Sequence, residues 1–95
     1  MSIRHGHIWS VALDPTVANK QRGTRPCIVV SGNRFNALPI RQAIVVPLTT
    51  RERGFPHHIS VADDGGLNRA SWAMCEAVRA VQITEHLTLW LADGR

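Results

Sequence analysis

Arg25 opens an apolar run, "RPCIVVS", with Pro26 behind it and the polar segment "GNRFN" beyond. A guanidinium stays charged at physiological pH and offers five N–H donors in a planar fork, the shape that grips two oxygens of a phosphate. The same residue serves equally as an ordinary strand-end cation, and the local sequence leaves both roles open. Of the 11 lysines and arginines, Lys20 is the single lysine. That bias suits two-pronged phosphate contacts, as it also suits GC-rich coding. The five histidines, His5, His7, His57, His58 and His86, are the default proton acceptors near neutral pH, but their positions read as solvated surface. Cys27 and Cys75 lie in apolar segments and read as buried, inert thiols. With no Cys-x-x-Cys or His-x-x-x-His pair in the chain, spacing gives a zinc site no support.

The elements that must position these groups read as short strands. In "HIWSVAL", His7 to Leu13, Trp9, Val11 and Leu13 share one face, and Asp14-Pro15-Thr16 ends the alternation. "VANKQRGT", residues 17–24, has no period and reads as a loop. Residues 25–31 and 41–50 ("RQAIVVPLTT") are near-continuously apolar and read as buried strands, joined through "GNRFNALPI" by a turn or one short helix. Residues 57–62 form a fourth strand after the charged turn "RERGFP". "DDGGLNR" is a hairpin loop, and residues 70–81 form a fifth strand, bent along its length. "ITEHLTLWLADGR" places Ile83, Leu87, Trp90 and Leu91 on one stripe and predicts a short amphipathic helix. Five strands spaced by turns predict a small, curved antiparallel sheet or barrel, mainly β with short helices.

Length and composition agree with one domain, residues 1–95. A chain of this size buries roughly 60–65% of its unfolded surface, which is marginal but sufficient without staples. Its 44% apolar and 19% charged residues are those of a globular protein rather than a disordered one. The longest apolar runs fall far short of a membrane span. The first residues contain no long apolar stretch of the signal-peptide kind, so the expected location is the cytoplasm, with no membrane partner. A net charge of +4 suits an anionic partner such as nucleic acid.

In order along the chain, "HGHIWSVALDPT", "GTRPCIVVS", "NRFN", "VVPLTT" and "GGLNRASWAMCEAVRAV" resemble the MazF/PemK/Kid family of toxin endoribonucleases. The resemblance runs from about Arg4 to Leu87. It implies an SH3-like curved antiparallel sheet or barrel of the MazF/Kid/CcdB type, acting as a homodimer. It implies cleavage of single-stranded RNA, chiefly mRNA, at short specific sequences with no metal or other cofactor. It also implies a cognate, MazE-like antitoxin that lays an acidic, extended segment into the RNA groove. The family's final helix falls beyond Arg95, so the expected domain lacks it.

Residue by residue, the resemblance makes Arg25 the catalytic arginine, where a fixed positive charge suits the extra negative charge of a phosphorane. It makes Thr49 a hydroxyl that donates to a phosphate oxygen or orients the 2′-hydroxyl, with Thr50 and Arg51 beside it as RNA contacts. Glu76 lies where the Kid-like branch carries an acid after the strand cysteine, and a carboxylate there could take the 2′-hydroxyl proton. Met74 replaces that branch's arginine, which leaves Arg25 to hold the phosphate alone. In the first loop, Asn19, Lys20 and Gln21 stand where the family binds substrate. Lys20 replaces a glutamate, and Gln21 could read a base edge. Trp9 and Trp72 take family positions of core or interface residues.

The first expectation is therefore a type II toxin that cuts RNA by 2′-hydroxyl attack, leaving 2′,3′-cyclic phosphate and 5′-hydroxyl ends. Two others stand beside it: a truncated homologue that only binds RNA or antitoxin, and a CcdB-like toxin directed at gyrase. The second of these is disfavoured by the joint presence of Arg25 and Thr49.

Overall fold

A computed structural model describes residues 3–13, 23–61, 70–83 and 88–89. Seven strands in these stretches form one antiparallel sheet: β1 Ile8–Leu13, β2 Gly23–Val29, β3 Gln42–Thr49, β4 His58–Val61, β5 Ser71–Met74, β6 Arg79–Gln82 and β7 Thr88–Leu89. The spatial order is β4-β5-β3-β2-β1-β7, with β6 paired to β3. The sheet is mainly β as expected, but open rather than a closed barrel.

β3 is the hub. One edge pairs with β2, and the other is shared by β6 along Gln42–Val45 and by β5 at Leu48 and Thr49. This sharing explains why residues 70–81 are two strands rather than one. The chain leaves β3 at a 3-10 turn, Cys75–Ala77, and rejoins it as β6. β3 also has apolar side chains on both faces. Val45 and Ala43 join Ile3, Trp9, Val11, Cys27 and Val29 in one buried cluster, while Val46 and Leu48 join Ile8 and Ala73 in a second. A strand buried on both faces needs no alternation, which accounts for its continuous apolar run.

The segment after β6 departs from the predicted helix. Ile83 packs against the first cluster, and its N–H donates to the Arg41 carbonyl (2.8 Å). Thr88 and Leu89 then pair with Ser10 and Trp9 on the free edge of β1. An unpaired strand edge satisfies backbone groups that a short helix would leave open at its ends, so tertiary pairing overrides the helical stripe. Leu87, Trp90 and Leu91 lie outside the described residues.

"NRFN" is a single helical turn, α1, Asn33–Asn36. Its buried Asn36 accepts from the Ser31 hydroxyl and donates Nδ2–H to the Ser31 carbonyl (3.2 Å). The Ser31 hydroxyl oxygen accepts in turn from Ile44 N–H (2.9 Å). The turn thereby ties the end of β2 to the start of β3.

Candidate nucleic-acid interface

Strand register assembles the site. Val11 on β1 faces Arg25 on β2. Cys27 faces Pro47; Arg25 lies two residues before Cys27 on β2, and its Nη1 reaches the Leu48 carbonyl (3.3 Å), the residue before Thr49. Thr49 faces Trp72 on β5, and Trp72 faces Ser60 on β4. Thr49 and Trp72 are thus direct cross-strand neighbours, about 5 Å apart at their Cβ atoms, and Arg25 is tied to the strand beside them through the Leu48 carbonyl. All three are half-buried. Met74, two residues after Trp72 on β5, pairs with His58 on β4.

The arginine is anchored and incompletely used. Its Nη1 donates to the Leu48 carbonyl (3.3 Å), which holds the guanidinium against β3. Its Nε is buried and has no acceptor among the described residues. Thr49 Oγ1 accepts from Arg51 N–H (3.1 Å), which orients the hydroxyl and leaves its proton free to donate. Thr50 and Arg51 are exposed directly after it. The site therefore presents a fixed cation and a hydroxyl donor, with an indole beside the hydroxyl.

A second guanidinium stands nearby. Arg79 pairs with Val45 on β3, and its Nη1 is also buried without a partner among the described residues. Burial pushes the Cys27 thiol up to about 12, against the opposing pull of the Arg25 and Arg79 charges. Cys27 is thus the inert core thiol that the sequence predicts. Cys75 is not: it is exposed at the 3-10 turn.

Glu76 takes its polar partners from the β4 side. Its Oε2 lies 3.1 Å from His58 Nε2 and its Oε1 lies 3.5 Å from His57 Nε2. Partial desolvation raises its carboxyl. The hydrogen bonds from His58 and from its own backbone, with the His58 and His57 charges, outweigh that and hold it below the ordinary carboxylate value. The His57 ring stacks on Phe55 (centroids 5.2 Å apart, planes at 16°). The His58 side chain is only 3% exposed, which corrects its reading as a surface residue. Strand pairing with Met74 carries the imidazole inward.

Of the residues the sequence singles out, the structure describes Arg25, Thr49, Thr50, Arg51 and Glu76, and it brings the Arg25 side chain to the residue before Thr49. Asn19, Lys20 and Gln21 lie outside the described residues. The contacts of His57 and His58 with Glu76 were missed, because they cross from one strand of a hairpin to the turn beyond the other. The adjacent "HH" was the available signal.

Comparison with known proteins gives this arrangement its context. Endoribonuclease PemK of Escherichia coli is 34% identical over 87 residues, which is 85% of this chain; the chain spans 62% of that relative's length. The structure of MazF from Deinococcus radiodurans superposes with a TM-score of 0.78 at 18% identity, covering 96% of this chain and 81% of that one. A MazE–MazF structure from the same organism gives 0.70 at 16% identity, covering 96% and 79%. At those identities the structural likeness is one of fold. The family model for the PemK-like, MazF-like toxin of type II toxin–antitoxin systems matches residues 4–91, and the chain belongs to that family.

Proposed function

We propose that this chain is the toxin of a type II toxin–antitoxin pair, a metal-independent endoribonuclease that cuts single-stranded RNA. The observation that carries the reading is the Arg25 guanidinium held on the Leu48 carbonyl, next to Thr49 in the chain, with its buried Nε unpartnered among the described residues. The 2′-oxygen attacks the adjacent phosphorus, the bond to the 5′-oxygen breaks, and the products are a 2′,3′-cyclic phosphate and a 5′-hydroxyl. Charge builds on the non-bridging oxygens as the phosphorane forms. Arg25 binds those oxygens, and Thr49 donates its free proton to one of them. Both are held by strands before RNA arrives, so little reorganisation is needed at the moment of reaction.

The attacking hydroxyl must lose a proton and the leaving oxygen must gain one. Glu76 is ionised and so able to accept, although its lowered titration makes it a weak base. Thr50 and Arg51 contact the adjoining phosphate. The half-buried Trp72 indole offers a stacking surface for a base next to Thr49. Asn19, Lys20 and Gln21 complete substrate binding and set base choice.

The antitoxin is a MazE-like chain with an acidic extended segment. The +4 charge and the MazE–MazF complex among the fold relatives support it. A homodimer is supported by the exposed apolar side chains Leu38, Ile40, Ile59 and Val78. A cytoplasmic site of action suits an mRNA substrate.

The test is incubation with long single-stranded RNA in EDTA, followed by mapping of the 5′ ends. Discrete cuts with 5′-hydroxyl ends, lost in Arg25→Ala, are expected. Intact RNA after incubation with folded protein would transfer the weight to a homologue that only binds RNA or antitoxin.

A further inference from the structure

We propose that His57, His58 and Glu76 form a binding site for a divalent transition-metal ion of the zinc type, separate from the Arg25–Thr49 pair. Their ligand atoms, two imidazole nitrogens and a carboxylate oxygen, all lie within 4.8 Å of one another. Zinc takes imidazole nitrogen and carboxylate oxygen at about 2.0–2.2 Å, so tetrahedral ligand atoms stand about 3.3 Å apart. The Glu76 carboxylate meets the two imidazoles with different oxygens, Oε2 at 3.1 Å from His58 Nε2 and Oε1 at 3.5 Å from His57 Nε2, each near that spacing. The donor set also selects among metals. Two imidazoles and one carboxylate suit zinc, cobalt or nickel, whereas magnesium and calcium prefer all-oxygen shells.

The three groups are held before any ion arrives. The His58 side chain is 3% exposed, and its backbone N–H donates to the Phe55 carbonyl (3.0 Å). His57 is fixed by its stack on Phe55, and its carbonyl accepts from Cys75 N–H (3.2 Å), which ties the β4 side to the turn that carries Glu76. The outer face stays open. His57 and Glu76 side chains are each 48% exposed, leaving an entry path and room for a water as fourth ligand. Three protein ligands with one open position is a recurring zinc arrangement.

Occupancy has a consequence that rests on the ribonuclease reading. A metal-bound Glu76 carboxylate cannot accept the 2′-hydroxyl proton, so the ion inhibits cleavage. It pins the turn to the hairpin and drives no chemistry itself.

The experiment is a calorimetric titration of chelator-treated protein with zinc(II), without RNA. One ion per chain is expected, together with a rise in melting temperature. His57→Ala and Glu76→Gln, both at exposed positions, should each weaken binding at least about tenfold, the loss that even an outer-shell partner costs. His58→Ala should do the same, provided its circular dichroism is native. His5→Ala and Cys75→Ser should bind as the wild type does. No binding by wild-type protein overturns the proposal. So does undiminished binding by both His57→Ala and Glu76→Gln, or binding lost on Cys75→Ser alone. Added zinc should also slow RNA cutting by the wild type, while His57→Ala, which keeps Glu76, resists it. If the protein cuts no RNA, the ribonuclease reading fails and the calorimetry still decides the metal site.

Discussion

Arg25 is worth more than its charge because its place is set by two strands. One N–H is committed to the Leu48 carbonyl on β3, the residue before Thr49. Loss of a preorganised donor to a developing anion costs about 10²–10³-fold in rate. Arg25→Ala should therefore lower RNA cutting by at least about that factor. Arg25→Lys should recover little, since an ammonium cannot bridge two phosphate oxygens as a fork does. Initial rates on a defined oligonucleotide measure both, and near-wild-type rates for Arg25→Ala would remove it from the chemistry. The two cysteines supply a second contrast at this scale. Cys27 is fully buried with its thiol raised to about 12, whereas Cys75 is exposed. Only the thiolate is nucleophilic. Alkylation of native protein near pH 8, read by mass spectrometry, should label Cys75 and spare Cys27 until the protein unfolds.

At the scale of elements, α1 is too short to be stable alone. It persists because Asn36 and Ser31 satisfy one another and the Ile44 N–H inside the fold. Asn36→Ala removes one partner and leaves buried polar groups unmet, a cost of about 1–3 kcal/mol. Chemical denaturation should report that loss, and an unchanged midpoint would mean that water replaces the side chain. The motif "NRFN" marks the family in sequence, yet the contacts of Asn36 make it a joint between β2 and β3. The bend between β5 and β6 belongs to this scale as well. The sequence alone predicts one bent strand there. The break follows from β3, whose far edge has room for two partners only if the chain steps away between them.

Across the whole molecule, the raised Cys27 thiol links folding to alkaline pH. Its ordinary value is 9.0 and its folded value about 12. Between them the unfolded chain has released a proton that the folded chain retains. Stability is therefore intact below pH 9 and falls as pH rises, by about 1.4 kcal/mol per pH unit. Cys27→Ala lowers stability below pH 9 through its cavity, but it should abolish this slope. Denaturation midpoints at pH 8, 9 and 10 for both proteins make the comparison, and an equal slope in the variant would assign the alkaline loss to other groups.

Alternation along a strand and punctuation by turns are local properties, and they carried the strands β1 to β4, the short helical turn and the buried Cys27, whereas Arg25 and Thr49 were singled out together only by the family resemblance. The local elements were legible because a side chain's face depends on its neighbours two residues away. Three features were not legible. Thr88 and Leu89 pair with β1, about eighty positions earlier in the chain. Arg25, Thr49 and Trp72 come together only through two separate strand pairings, β2 with β3 and β3 with β5. Glu76 meets His57 and His58 only because the β4–β5 hairpin closes. Each is a choice among pairings that are locally equivalent. The packing of distant strands around β3 makes that choice, since one register fills both clusters and a shift of one residue would exchange side chains between the two faces and break the fit of each.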